Sequence, residues 1–236
     1  MAKPRKVFSI LGYFLFFLGS LIGLFVVGSA AWGDLEAAML ARPMGAERGL
    51  SNLHCPVFVS TGEIGEAYVW ISNNTDKAIN RTIRTHLSNY HITLTDTVDT
   101  KVSLEPGEKK RVVWPVNPED ALYGRFYIIR VYLFSSYKTT SQEGSCGIMV
   151  IDLPLSGKQI EIFSILLCAF NMGLGYLLLR IKGSRGWDTR DKIQGFMIIL
   201  VATGLVFSFL GGWFVGFMII LLFVLLVGSN LVRLYT

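Results

Sequence analysis

Histidine and cysteine are scarce in this 236-residue chain, three of each, and four long stretches carry no charge at all. Each scarcity closes off a class of function. A zinc or copper site needs three or four converging ligands at recognisable spacing. His54, His86 and His91 do not supply one: His86 and His91 are five positions apart, so on one continuous strand they face opposite sides. There is no CxxC pair, which removes a thioredoxin-like redox motif. Carboxylates are more plentiful, but Glu63, Glu66, Glu105, Glu108, Glu119 and Asp120 fall mostly at predicted turns. Nothing couples them to a positioned nucleophile. No catalytic, cofactor-binding or metal-binding residue is assigned, and the chain is not expected to be an enzyme.

The uncharged stretches are residues 7–33, 162–179, 193–212 and 213–232. At 52% apolar residues and a mean hydropathy of +0.49, the chain is too apolar for an ordinary soluble domain. Each stretch is about long enough to cross roughly 30 Å of hydrocarbon as a helix, so four transmembrane helices are expected. Pumps and ion-coupled transporters keep ionisable residues inside their spans, where such groups are costly and retained for function. Their absence here argues against a pore or carrier built by this chain alone.

What is present then gives an orientation. Lys3, Arg5 and Lys6 precede the first stretch; Arg180, Lys182, Arg185, Arg190 and Lys192 cluster between the second and third; Arg233 follows the fourth. Four crossings put these cations on one side, which the positive-inside rule makes the cytoplasm, with both termini inside. The first stretch has the basic leader of a signal peptide, yet its apolar run is about twice the usual 7–15 residues, so a retained anchor is expected. Residues 34–152 hold 12 basic and 14 acidic residues, so the net charge of +5 is a topology signal. No basic patch with a nucleic-acid motif accompanies it. Attraction of the basic loop to anionic lipid is the expected consequence.

Between the first two helices the pattern changes to short β-rich runs separated by turn residues: CPVFVS, EAYVWIS, RTIRTHLS, YHITLT, TKVSL, KRVVWPV, RFYIIRVYLF and CGIMVI. Ala67, Val69 and Ile71 alternate with Tyr68 and Trp70; Val112, Trp114 and Val116 alternate with Arg111 and Val113. The segments STGEIGEAYVWISNNTD, SLEPGEKKRVVWPV and YGRFYIIRVYLF together resemble the bacterial and archaeal immunoglobulin-like modules of the fibronectin III and CARDB type. The resemblance covers about residues 53–152 and implies an adhesive or architectural antiparallel β-sandwich outside the membrane, without catalytic residues.

Cys55 opens the first of these runs and Cys146 the last, in the compartment where disulfides persist, whereas Cys168 lies in an apolar stretch. A Cys55–Cys146 bond is expected. Asn73 and Asn80 each satisfy the N-x-S/T acceptor pattern.

Small residues suggest how the helices pack. Gly12, Gly19 and Gly23 share a face of the first helix, and Ala169 and Gly173 flank Asn171 in the second at the spacing that permits close backbone approach. In the linker, Asp34 is expected to cap a short interfacial helix ended by Pro43. In RFYIIRVYLF neither alternate set is wholly polar, although a strand with one wet face should alternate cleanly. Two explanations stand: a central strand covered by a loop or by the linker, or a docking face made of Phe126, Ile128 and Tyr132 with Tyr68 and Trp70.

The organisation read from sequence is therefore a cytoplasmic N-terminus and first transmembrane helix (1–33), an interfacial linker (34–52) and an extracytoplasmic sandwich (53–157). A second helix (158–180), a basic cytoplasmic loop (181–192) and a hairpin of two helices (193–236) complete it. The expected role is a non-catalytic accessory or structural subunit of a larger membrane assembly, in contact with lipid and with other integral membrane subunits. The alternatives are a cell-surface protein binding an external ligand and an auxiliary subunit of a membrane enzyme or transporter. In an otherwise thiol-free variant, an impermeant thiol reagent is expected to reach a cysteine at Gly186 only from the cytoplasmic side and one at Asn74 only from outside. The reverse pattern would overturn the orientation.

Overall fold

The computed structural model describes residues 4–40, 45–50, 52–89, 94–181 and 189–235. It divides into two compact units, one helical (Met1–Ser29, Ile160–Ser208, Gly212–Thr236) and one β-rich (Ala30–Gln159, Phe209–Gly211). Among the described residues there are four α-helices: α1 (Pro4–Leu40), α2 (Gly157–Arg180), α3 (Thr189–Phe209) and α4 (Trp213–Tyr235). Among the described residues, three helical segments are long and apolar enough to cross a membrane: Val7–Met39, Gly157–Arg180 and Lys192–Phe209. The apolar part of α4, Phe214–Gly228, is shorter.

α1 departs from the sequence expectation. It has 37 residues and runs without a break through Asp34, so the linker is no separate capped helix. The reason is local: Ala30, Ala31, Ala37 and Ala38 are strong helix formers and no proline interrupts them. The Asp34 carboxylate is used differently, as the acceptor of a 3.2 Å hydrogen bond from the Gly147 N–H. Pro43 lies outside the described residues.

Among the described residues, nine strands form two sheets. The larger has the order β1 (Arg48–Gly49), β9 (Gln142–Ile151), β8 (Phe126–Leu133), β5 (Ile79–Asn89) and β6 (Leu94–Leu104), with β3 (Phe58–Ser60) also pairing β9. The smaller has β2 (Leu53–His54), β4 (Gly65–Ser72) and β7 (Lys109–Val116). The antiparallel β4–β7 register places Ala67 opposite Trp114 and Val69 opposite Val112. Ala67, Val69 and Ile71 thereby meet Tyr127, Ile129, Val131 and Leu133 of β8 in one core that also takes Ile83 and Ile148. Each large aliphatic side chain removed from water in this way contributes about 1.5–3 kcal/mol before entropy is counted.

Two of the β-rich runs merge. Asp96 and Asp99 separate YHITLT from TKVSL in the sequence, but β6 runs unbroken from Leu94 at the end of the first through both aspartates to Leu104 at the end of the second; residues 90–93 lie outside the described residues. It is an edge strand whose polar side chains are exposed, where Asp99 pairs with Arg84 at 2.7 Å and Asp96 accepts from Asn89 at 2.6 Å. Charge on an edge costs little and discourages pairing with another chain.

The Cys55–Cys146 disulfide is present. Cys55 lies between β2 of the smaller sheet and β3 of the larger, so the bond pins the chain where it changes sheets. A cross-link over a sequence separation of 91 constrains the unfolded chain strongly. Cys146→Ser is expected to lower the stability of the β-rich unit by about 2–4 kcal/mol in denaturant titration. A non-reducing peptide map of the native protein should recover Cys55 and Cys146 together; two free thiols would contradict the fold.

Candidate interaction surfaces

The smaller sheet presents an aromatic and basic outer face. Because Ala67, Val69 and Ile71 point inward, Tyr68 and Trp70 point out, beside Lys109, Arg111 and Val113 of β7. The rings are not bare. His54 stacks on Tyr68 with centroids 5.0 Å apart, and the Arg111 guanidinium lies 4.0 Å from the Tyr68 ring centre. Lys109 lies 5.0 Å from the centre of Trp70, and Arg111 also pairs with Glu66 at 3.2 Å. These cation–π contacts occupy ring faces that a partner would otherwise meet. Val113, 41% exposed, is the open apolar position on this face.

The outer face of the larger sheet belongs to β8 and its neighbours. Phe126, Ile128, Arg130 and Tyr132 share it, so the five aromatic and apolar residues considered from the sequence are divided between two sheets. Ile128 is buried beneath α1, in contact with Ala37 and Leu122. Gly147, opposite Ile128 in the register, lies directly against Gly33 of α1, and a Cβ on either glycine would strike the other's backbone. The linker thus covers part of β8, which explains why its outward set is not polar.

Further along the same face the chemistry becomes charged. Arg130 is buried and forms an ion pair through Nε with Glu143. His86 sits opposite Arg130 in β5, its Nδ1 3.1 Å from the Thr97 hydroxyl. Burial first, then the neighbouring Arg84 and Arg130, push the His86 imidazole below its ordinary range, against the opposing pull of Asp99 and Glu143. Tyr132 packs edge-on to Phe134 at 4.8 Å, and Arg84 covers Phe134 at 5.3 Å. Arg81 is buried and donates to the carbonyls of Phe134 and Thr140 at 3.1 and 3.0 Å, with burial pulling its pKa down. Arg81 Nε and Thr85 Oγ1 have no hydrogen-bond partner among the described residues.

An open cleft of about 700 Å³ lies at the end of the sandwich where β4 begins, lined by Thr61, Glu63, Ile64, Leu87, Asp120 and Tyr127 among others. Burial, then Asp120 and Asp96, push the Tyr127 phenol up to about 12, so it stays protonated and donates to the Pro115 carbonyl at 3.4 Å. No group of three or more His, Cys, Asp or Glu side chains able to hold a metal occurs among the described residues. His54 and His86 lie on different sheets, and His91 is outside the described residues.

In the helical unit, the α1 glycines meet other helices of the same chain. A Cβ on Gly12 would lie 2.9 Å from Leu179 Cγ, and one on Gly19 only 2.7 Å from the Met172 nitrogen. Gly23 faces Val201 of α3 and Cys168 of α2. The matching small residue on α2 is Gly175, against the Gly12 carbonyl and the Phe16 backbone; Gly173 has no neighbour within 4 Å and Ala169 is exposed. Phe16, Cys168, Met172, Met197, Val201 and Phe223 close the core of this unit. Asn171 is buried but donates to the Leu167 carbonyl of its own helix at 2.7 Å.

No family model matches the chain, and no curated protein does. Among solved structures, the CARDB domain of a Pyrococcus furiosus protein is similar at 15% identity over 42% of this chain and 84% of that one, with a TM-score of 0.32. A Bacteroides uniformis β-glucuronidase is similar at 17% identity over 41% of this chain and 12% of that one, with a TM-score of 0.30. For a Listeria innocua β-glucosidase the values are 22%, 44%, 16% and 0.30. The chain spans a small fraction of either glycosidase, and the likeness to the CARDB domain is one of a β-rich module.

The two glycosylation patterns separate in the structure. Asn80 is exposed. Asn73 is fully buried: its amide donates to the carbonyls of Lys77 and Leu104, at 2.9 and 3.0 Å, and its oxygen accepts from Thr75. Asn73→Ala removes the amide donor from the Leu104 carbonyl and leaves the Lys77 carbonyl with the Thr75 hydroxyl alone, and it is expected to cost about 1–3 kcal/mol of stability in thermal or denaturant unfolding. A glycan found on Asn73 of the folded protein would contradict this arrangement.

Proposed function

We propose that the chain is a multi-pass membrane protein of the cell membrane, with four spans, both termini cytoplasmic and an immunoglobulin-like sandwich held outside. Its role is that of a non-catalytic accessory or structural subunit within a larger membrane assembly. One observation carries this reading. The polar side chains Ser20, Ser29, Asn171 and Ser208 each donate to the carbonyl one turn back in their own helix, at 2.7–2.9 Å. Their donated hydrogens are spent on the backbone of their own helices, which supports a structural role for these four groups. The outward positions of the same helices are instead large and apolar, with Phe8, Phe14, Leu21, Phe163, Phe170 and Ile199 all more than half exposed. That pattern suits lipid and neighbouring helices.

Partners are assigned to positions that the fold leaves open. Gly12, Gly19 and Gly23 are taken by contacts within the chain, so Gly19→Leu would disturb the helical unit itself and is no probe of association. Val113 on the smaller sheet and Tyr132 on the larger are the better probes. The open cleft at the end of the sandwich supports a second reading, a surface protein that binds an external ligand.

Extraction from native membranes in mild detergent, followed by native mass measurement, is expected to return a defined hetero-complex. Val113→Glu or Tyr132→Ala should weaken recovery of the partners while the sandwich keeps its protease resistance. A chain recovered alone under these conditions would end the subunit reading and leave the ligand-binding one.

A further inference from the structure

We infer that the turn between β3 and β4, together with the segment that leads into α2, is a lipid-contacting wedge that seats the sandwich in the bilayer interface. The inference rests on the membrane reading proposed above and adds the surface through which the outer module meets lipid.

Large apolar side chains are exposed here without an internal reason. Ile64 is 72% exposed, and Leu153 and Leu155 are each 45% exposed. The turns at the other end of β4 differ: Asn74, Asp76 and Lys77 are exposed after it, and Glu105 and Glu108 in the neighbouring β6–β7 turn. Eight residues of β4 separate these ends by about 26 Å. Exposed aliphatic side chains are therefore concentrated at the end that adjoins α2, whereas at the other end the exposed Tyr137 ring is faced by the Lys77 and Lys138 ammonium groups.

That end is fixed to the start of α2 by a closed set of bonds. Ser60 Oγ donates to the Leu153 carbonyl at 2.7 Å, and Thr61 Oγ1 to the Asp152 carboxylate at 2.9 Å. The Thr61 N–H donates to the Ile151 carbonyl at 3.1 Å. The Glu63 carboxylate accepts from the Ser60 N–H at 3.0 Å and from the N–H of Gly157, the first residue of α2. A carboxylate at a helix N-terminus is favoured by the helix dipole and by the unpaired amides there. Gly157 lies so close to the Phe58 carbonyl that no Cβ would fit. The turn cannot swing away from the helix without breaking these contacts.

Helix length then sets the height of the turn. The 24 residues of α2 span about 36 Å at 1.5 Å per residue, against roughly 30 Å of hydrocarbon. The first turn of α2 therefore lies in the headgroup layer, and Leu153, Leu155 and Ile64 stand at the same level. Removing these side chains from water is favourable by the usual hydrophobic term. Glu119 and Asp120 line the cleft beside Ile64, and their charge confines the wedge to the interface.

The test uses the full-length chain with Cys168→Ser, its disulfide intact, reconstituted into phosphatidylcholine vesicles. Single cysteines replacing Ile64, Leu155, Asp76 and Phe163 are spin-labelled, and their accessibility to oxygen and to a nickel chelate is measured by power saturation. Labels at Ile64 and Leu155 are expected to show an oxygen-to-nickel ratio severalfold above that at Asp76 and below that at Phe163. Leu155→Cys reads the wedge independently if Ile64→Cys does not fold. Labels at both sites as open to nickel as Asp76 would overturn the wedge, and labels shielded from both reagents would put protein over the turn and also overturn it. A nickel-accessible label at Phe163 would overturn the membrane reading itself, so the two failures are distinguishable.

Discussion

A glycine set against a glycine is the contact on which the arrangement of the β-rich unit depends. Gly33 in α1 and Gly147 in β9 bring helix backbone onto sheet backbone with no room for a side chain, and Asp34 adds its carboxylate to the Gly147 amide. The approach is possible only because α1 stays helical far beyond its apolar core. Its 37 residues make about 55 Å of helix where about 30 Å would cross a bilayer. The surplus becomes a covering element. It buries Ile128 and Ala37 together on a face of the sheet that would otherwise be wet.

The same sheet face shows how burial and charge are balanced. Arg130 is removed from solvent and stands with Glu143, since an unpaired buried guanidinium would be costly. Burial and two flanking arginines hold His86 toward its neutral form. On the smaller sheet the ring faces of Tyr68 and Trp70 are covered by Arg111 and Lys109. Much of the chemistry that looks available in the sequence is thus consumed by the fold: Tyr132 is half-buried against Phe134, whereas Val113 and the turn at Ile64 stay exposed.

The sequence made the strands legible because period-2 alternation reports directly on a two-faced sheet, and the inward set of β4 follows from it; the pairing of Cys55 with Cys146 was legible from their places in the first and last of the β-rich runs. What stayed hidden was tertiary. A helix continuing past Gly33 carries no signature that separates it from a helix restarting at Asp34, since aspartate serves as cap or as acceptor according to what lies beside it. β6 was divided because Asp96 and Asp99 resemble turn residues until Asn89 and Arg84 are seen across the ladder. Gly173 and Gly175 are both small residues of α2, and only the position of α1 decides that Gly175 is used. Asn73 reads as a modification site in one dimension and as a structural amide in three.

β9 is the last strand among the described residues, and three others, β1, β3 and β8, converge on it. It pairs β8 on one side and β1 and β3 on the other, carries Cys146 for the disulfide, and supplies Gly147 to α1. A ribosome makes these partners in the opposite order of their need, so β1, β3, Cys55 and Asp34 all emerge long before the strand that satisfies them. Until residue 151 is made, the strands of the β5–β6 and β4–β7 ladders are all available, but β1, β3 and Cys55 lack the partner that completes them. α2 begins at Gly157, immediately behind. The β-rich unit is therefore completed only as the chain enters α2, so the strand on which its closure depends is also the one made immediately before that helix.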